Sequence, residues 1–259
     1  MFAGSSTRGR RSSLARYRRN VAQHAVCGSG TFQASQHANR RGSVVASVIA
    51  PAILAESTDQ YKQLMERIQA FAERVHIDIC DGEFAPAFTV AANQIWWPAN
   101  WQADIHAMVA RPSEHVDQLI ALKPSLIIFH AEVAEDLMPI VQKIQGSGIK
   151  AGVALQRPTV PATVAALIQK VDHVMLFSGD LGHYGGTASM MQLEKARLVR
   201  AIKPSVEIGW DGGVVIENAY SLSQGGVDVL NVGGALARSN DPATTYKNLV
   251  EEVNKQTVI

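Results

Sequence analysis

A chain of 259 residues with 47% apolar, 18% charged and 6% aromatic side chains has a globular composition and is long enough for one large domain or two small ones. No run of ~18 uninterrupted apolar residues argues for a membrane span, and two cysteines, Cys27 and Cys80, exclude a disulfide framework or a cysteine-rich zinc site and fit a reducing compartment. The net charge of +1 is unevenly spread: residues 1–43 hold eight Arg and no acid, the first carboxylate is Glu56, and the remainder is net acidic, which excludes a nucleic-acid-binding surface.

Residues 1–42 are rich in Ser, Gly and Arg and lack a sustained apolar period, so they cannot bury enough surface to fold alone. They read as a basic, disordered extension. The same composition matches an organelle transit peptide, or upstream sequence from a misplaced start codon. A secretory signal is excluded, because no apolar stretch follows the positive charges.

From Ser43 onward, short β-branched runs alternate with amphipathic stretches. The predicted strands are Val44–Ile49, Arg74–Ile79, Ala103–Met108, Leu126–His130, Lys150–Leu155, His173–Phe177, Val206–Trp210 and Val229–Val232. The helices between them are Thr58–Phe71, Pro112–Leu122, Leu137–Gln145, Val160–Lys170, Ser189–Ile202 and Ile216–Gln224. Ala91–Pro98 is the weakest helix, interrupted by Trp96, Trp97 and Pro98. Asp241–Asn254 closes the chain, with Asp241 as N-cap and Pro242 at the first helical position. Eight strands, each followed by a connection of crossover length, predict a single (β/α)8 TIM barrel over residues 43–259. A doubly wound sheet needs fewer strands, and its glycine-rich turn after the first strand is absent.

In such a barrel, chemistry gathers at the C-terminal ends of the strands. Alternation puts His76 and Asp78 on one face of the second strand, with Ile77 and Ile79 on the other. Asp104 and His106 share a face of the third strand, and Asp211 ends the seventh. Taken alone, each of these residues reads as a member of a hydrogen-bonded His–Asp network. Four at strand ends around one mouth (His76, Asp78, His106 and Asp211) instead favour one divalent metal ion, Zn2+ first, with Fe2+, Mn2+ or Co2+ as alternatives. Glycines follow the last three strands: Gly182, Gly185 and Gly186, then Gly212 and Gly213, then Gly233 and Gly234. Such loops commonly cradle a phosphate in barrels, so the expected partner is a phosphorylated ligand. No Walker-type Gly-Lys-Ser/Thr occurs, so nucleotide hydrolysis is not suggested.

These motifs, in this order, resemble the ribulose-phosphate 3-epimerase family. Ala50-Pro51-Ala52-Ile53-Leu54 resembles the family's Ser-Pro-Ser-Ile-Leu. His76-Ile77-Asp78-Ile79-Cys80-Asp81-Gly82 resembles His-x-Asp-x-Met-Asp-Gly, and Asp104-Ile105-His106-Ala107-Met108 resembles Asp-x-His-x-Met. His130-Ala131-Glu132 and Gly152-Val153-Ala154-Leu155 resemble the fourth and fifth strands, and Asp211-Gly212-Gly213-Val214 resembles Asp-Gly-Gly-Ile/Val. The resemblance implies a barrel of the ribulose-phosphate-binding type. It also implies a metal-dependent isomerase of carbohydrate metabolism that converts D-ribulose 5-phosphate to D-xylulose 5-phosphate in the pentose phosphate pathway. It further implies Asp78 and Asp211 as catalytic acid and base, Met108 and Met175 beside the metal, a homo-oligomer, and a cytoplasmic location unless residues 1–42 are a transit peptide.

The departures concern the ligand's surroundings. Ala52 replaces a serine and Cys80 a methionine. The loop after strand 6 reads Gly179-Asp180-Leu181-Gly182-His183-Tyr184-Gly185-Gly186-Thr187 where the family has Asn-Pro-Gly-Phe-Gly-Gly-Gln, and Gly233-Gly234 replaces Gly-Ser. A different ketose phosphate, such as a ketohexose 6-phosphate, or a non-catalytic phosphosugar-binding barrel are therefore the competing expectations. Related phosphate-binding decarboxylases use Asp-x-Lys-x-x-Asp, and His106 stands where their lysine would. His115 and His173 read as surface or packing residues, His130 as a neighbour of the ligand set, and His183 as a candidate ligand contact.

Overall fold

The computed structural model describes residues 47–255. The basic extension, Cys27 and residues 44–46 of the expected first strand lie outside the described residues.

Eight parallel strands close a barrel in chain order: β1 (Val48–Ile53), β2 (Arg74–Cys80), β3 (Gln102–Met108), β4 (Leu126–His130), β5 (Lys150–Leu155), β6 (His173–Phe177), β7 (Glu207–Asp211) and β8 (Val229–Val232). This is the TIM barrel expected from the alternation of elements. Around it run α1 (Thr58–Ile68), α2 (Pro112–Ala121), α3 (Leu137–Gly146), α4 (Ala165–Ile168), α5 (Leu193–Ile202), α6 (Ile216–Gln224), α7 (Gly234–Ala237) and α8 (Pro242–Val253). Outward strand residues such as Ile77, Ile105, Ile127, Val153 and Ile208 are fully buried under these helices, which is why the strands read as nearly continuous apolar runs. Helix starts follow their caps. Ser57, Asp136 and Asp241 each accept a hydrogen bond from a first-turn backbone N–H, and Pro112 and Pro242 occupy first positions where a missing N–H costs nothing.

The differences from the expected elements have local causes. Strand β1 runs four residues later than 44–49 and contains Pro51. Val48 N–H donates toward the β8 side, to Asp228 O, so Pro51, three residues on, has its nitrogen on the β2 side. Pairing with β2 begins only at Ala52↔His76, and the missing donor therefore breaks no ladder bond. Segment 91–98 holds only a 3-10 turn, Ala92–Gln94. The carbonyl of Trp96 accepts instead from Tyr61 Oη, at 2.6 Å. The expected helix 160–170 splits into a 3-10 turn, Pro161–Val164, and α4, as a start rich in β-branched residues favours. A 3-10 turn, Met190–Gln192, likewise precedes α5, and α7 was not expected.

Charged side chains fill the barrel near the N-terminal strand ends. Arg74 Nε lies 2.6 Å from Asp104 Oδ2, and its terminal nitrogens grip Glu207 at 3.0 and 2.8 Å. His173 belongs here, 1% exposed, with Nδ1 2.8 Å from Glu207 Oε2. It is a packing residue and not a surface one. Gly209 makes the room: a Cβ there would fall 2.4 Å from His173 Nε2.

Burial opposes the charge on Glu207, but His173 and Arg74 hold its carboxyl well below the usual carboxylate range. That stabilisation is present above about pH 4.3, the unfolded value, and is lost as pH falls toward the folded one. We expect Glu207→Ala to cost about 3 kcal/mol in urea unfolding at pH 7, because Arg74 loses one of its two partners. The variant should also show a shallower loss of stability below pH 4 than the wild type. Equal midpoints at pH 7 would remove this network from the account of the fold.

Candidate active site

At the opposite end of the barrel, β2 and β3 are in register with His76 beside Asp104 and Asp78 beside His106. The period of two aims His76, Asp78 and His106 inward, while Ile77 and Ile79 pack outward among the helices. Asp211, the last residue of β7, joins them. One donor atom from each of His76, Asp78, His106 and Asp211 lies within 4.8 Å of the other three. His106 Nδ1 is 2.8 Å from Asp78 Oδ1 and 3.9 Å from Asp211 Oδ2, and His76 Nε2 is 3.4 and 3.9 Å from the same oxygens.

Both ring nitrogens of His76 are buried without a hydrogen-bond partner. A buried imidazole in that position costs free energy unless something else satisfies it. Two imidazoles and two carboxylates converging on one point are a donor set that fits a divalent first-row cation, and these four residues could hold one.

The two carboxylates differ in charge. Burial works against ionisation of Asp78, but the adjoining rings of His106 and His76 hold it well below the usual carboxylate range. Asp211 is pushed up to about 7, by burial first and then by the negative charge of Asp78. Two facing carboxyl groups with separated proton affinities are the arrangement expected of an acid–base pair.

Behind the set, His106 Nε2 lies 2.9 Å from His130 Nε2, and His130 Nδ1 lies 3.2 Å from Glu132 Oε2. Burial pulls His130 down to about 4, against the pull of Glu132. Met108 is at the mouth, 4.0 Å from Cys80 through the two sulfurs. Met175 sits with Leu126, Ile128, Ala154 and Phe177 in the apolar layer below, its sulfur 3.3 Å from Asn231 Nδ2.

The cavity over Asp78 and Asp211 is lined by Gly182, Gly185, Gly186, Gly212, Gly213, Gly233 and Gly234. Gly212 is required by space as well as by a φ of +100°, since a Cβ there would fall 2.0 Å from Gly179 N. His183 also lines the cavity, whereas His115 lies on α2.

Three residues of the site were given no role from the sequence: Glu132, Tyr184 and Arg238. Tyr184 Oη accepts from Leu54 N–H at 2.6 Å and donates to Ala52 O at 3.3 Å, tying the loop after β6 to the end of β1. Its ring covers Gly233, where a Cβ would be 2.7 Å away. The guanidinium of Arg238 folds back along α7 over Gly234, where a Cβ would fall 2.7 Å from it. It is the only Arg or Lys on the cavity wall, and it makes no side-chain hydrogen bond or ion pair among the described residues. Only Glu132 carried a usable signal, two residues beyond His130 on the fourth strand's motif.

Residues 48–237 match the model of the ribulose-phosphate 3-epimerase family. A ribulose-phosphate 3-epimerase of Helicobacter pylori strain J99 is 30% identical over 208 residues, covering 78% of this chain and 95% of that one. Another, of Chlamydia muridarum, is 32% identical over 201 residues, covering 74% of this chain and 86% of the relative. Among solved structures, a 3-hexulose-6-phosphate synthase superposes with a TM-score of 0.62 at 19% identity, over 79% of this chain and 99% of that one. That last likeness concerns the fold alone.

Tyr184→Phe keeps the ring and removes the hydroxyl, leaving the buried N–H of Leu54 without its partner. A loss of about 1–3 kcal/mol is expected from an abandoned buried donor. Backbone amides of residues 180–188 should then exchange faster with deuterium. Unchanged exchange there would show that the hydroxyl does not restrain the loop.

Proposed function

The chain belongs to the ribulose-phosphate 3-epimerase family and is an isomerase of that type; from that premise we propose that it inverts C3 of a ketose phosphate, D-ribulose 5-phosphate to D-xylulose 5-phosphate, by proton transfer between two carboxylates. The observation that carries this reading is the meeting of Asp78 and Asp211, from β2 and β7, at one buried point with His76 and His106.

A proton beside a ketone is weakly acidic, and its removal leaves an enediolate with negative charge shared by two oxygens. When bound, a divalent cation, zinc by preference, would be held by His76, Asp78, His106 and Asp211 and would offset that charge. The protein's own task is inversion. A carboxylate on one face of C3 can only return the proton to the face it came from, so a second carboxyl group must deliver one to the opposite face. In one direction, Asp78 or Asp211 takes the C3 proton while the other gives its proton to the far side of the carbon. In the reverse reaction the roles exchange.

The phosphate end belongs, in this reading, to the glycine loops after β6, β7 and β8, with Arg238 beside them as the cation. Ala52, the altered loop after β6 and Gly234 leave the His/Asp set intact and change what surrounds the ligand. They favour, as a second reading, a different ketose phosphate such as a ketohexose 6-phosphate. A reducing compartment, the cytoplasm, is the inferred location; Cys80 is a free, buried thiol, and among the described residues no helix is long and apolar enough to cross a membrane.

Incubation with ribulose 5-phosphate in D2O, with and without chelator, tests the reaction directly. Chelator-sensitive formation of xylulose 5-phosphate carrying deuterium at C3 is expected. Exchange seen only with a hexulose 6-phosphate supports the second reading, and no exchange with any ketose phosphate defeats both. Asp211→Asn should lower turnover by at least about 10²-fold, the usual contribution of a placed acid or base, with an unchanged near-UV circular dichroism spectrum. Appreciable residual turnover would contradict the two-carboxylate assignment. Arg238→Ala should raise KM, and the inhibition constant of inorganic phosphate, roughly tenfold or more, as loss of one charge-assisted hydrogen bond requires. An unchanged inhibition constant would remove Arg238 from the phosphate site.

A further inference from the structure

Resting on the reading of the site given above, we infer that Asn231 is a specificity-determining residue whose side-chain amide receives the hydroxyl on C4 of the ketose, the carbon next to the reacting centre on the phosphate side. Its place on β8 follows from alternation. Leu230 and Val232 pack outward in the main apolar cluster, so Asn231 between them turns into the barrel. There it stands in register with Asp211 of β7 on one side and Ala50 of β1 on the other. It is 2% exposed and belongs to the wall of the cavity that Asp78 and Asp211 also line.

An amide in that position is poorly served by the protein. Its Nδ2 meets the sulfur of Met175, at 3.3 Å, and a thioether is a weak acceptor. Its Oδ1 has no hydrogen-bond partner among the described residues. On the β1 side Ile49 and Ile53 pack outward, so the inward positions are Ala50 and Ala52, whose methyl groups have nothing to bond. A valine would occupy the same place in the strand without burying an unpaired polar group, which costs free energy. An amide kept at that cost is what a site needs if it is to recognise a ligand hydroxyl, because it then rejects an analogue that leaves the amide unpaired.

The other groups on the wall already have tasks. The cavity is lined by two side chains that carry a hydroxyl or an amide, Tyr184 and Asn231, and the Tyr184 hydroxyl is taken up by Leu54 N–H and Ala52 O. Asp78 and Asp211 serve C3, and the glycine loops with Arg238 serve the phosphate. A ketose phosphate still brings a hydroxyl on the carbon between those two ends. Asn231 lies beside Asp211 and two residues before Gly233, so it stands between the carboxyl that works on C3 and the loop that takes the phosphate. An amide can accept from that hydroxyl through Oδ1 and donate to it through Nδ2.

A cycle of two changes tests the inference. Asn231→Val removes the amide, and 4-deoxyribulose 5-phosphate in place of ribulose 5-phosphate removes the hydroxyl, with exchange at C3 in D2O as the readout. The valine variant should raise KM for ribulose 5-phosphate about 3–10-fold, the worth of one neutral hydrogen bond, and should not raise KM for the 4-deoxy compound. The inhibition constant of inorganic phosphate should keep its wild-type value. Asn231→Ala, which removes the amide without filling its place, should show the same loss of preference. The valine variant should also unfold at a urea concentration no lower than the wild type, since the protein gives up only a contact with sulfur. Equal changes in KM for the two substrates, or a lower urea midpoint in the valine variant, overturn the inference and leave the reaction assignment standing. A wild type that exchanges no ketose phosphate defeats the reading of the site, and this inference with it.

Discussion

The interior of a closed parallel barrel has no water to spare for charge, and every ionisable group that alternation turns inward must find a partner there. This chain answers that constraint twice, with opposite results. Near the N-terminal strand ends, Arg74 lies between Asp104 and Glu207, with His173 against the same glutamate, so the protein supplies its own cation. At the C-terminal ends, two carboxylates and two imidazoles converge without any Lys or Arg among them. In the lower layer each acid faces a basic side chain, although Asp104 Oδ1 and His173 Nε2 make no hydrogen bond. The upper layer leaves both nitrogens of His76 unpartnered and keeps Asp78 and Asp211 far apart in proton affinity. The first is an architecture for stability, and the second suits the binding and proton transfer proposed for it.

That division explains what the sequence made legible. A period of two over His76-Ile77-Asp78-Ile79 assigns faces without any tertiary knowledge, and the same rule applied to Asp104-Ile105-His106 puts two residues inside the barrel, though on different layers: Asp104 meets Arg74 and His106 meets Asp78. Glycine pairs after the last three strands mark loops around one cavity because close backbone approach leaves few other residues admissible. Less legible were features that depend on side chains crossing between loops. Nothing near Tyr184 announces that its hydroxyl will reach Leu54, 130 residues away in sequence. Nothing near Arg238 announces that it will lie over Gly234. Strand β1 is hard to place from sequence for a simpler reason: a proline is admissible at position 51 only because pairing with β2 begins at Ala52.

The departures from the family pattern, seen in space, come with replacements nearby. Ala52 lacks a hydroxyl, yet the hydroxyl of Tyr184 reaches the backbone of Ala52 from across the mouth. Gly234 lacks a side chain, and the space so opened is where the Arg238 guanidinium lies. In each case a polar group lies near the substituted position, from the loop after β6 at Ala52 and from the end of α7 at Gly234. A hydroxyl exchanged for a guanidinium near a phosphate replaces a neutral hydrogen bond with a charge-assisted one.

The same reasoning limits what the fold can say about function. A structure superposing at 19% identity shares the fold of this chain, and shared architecture is compatible with unrelated chemistry. What separates one such barrel from another is the identity of a few inward positions near the strand ends. A lysine at His106 would put a permanent cation among the carboxylates and neutralise the set from within, as Arg74 does below. A histidine there does so only if it is protonated. Held neutral, it leaves two acids and two imidazoles still in want of positive charge, and that want is the property from which the proposed chemistry follows.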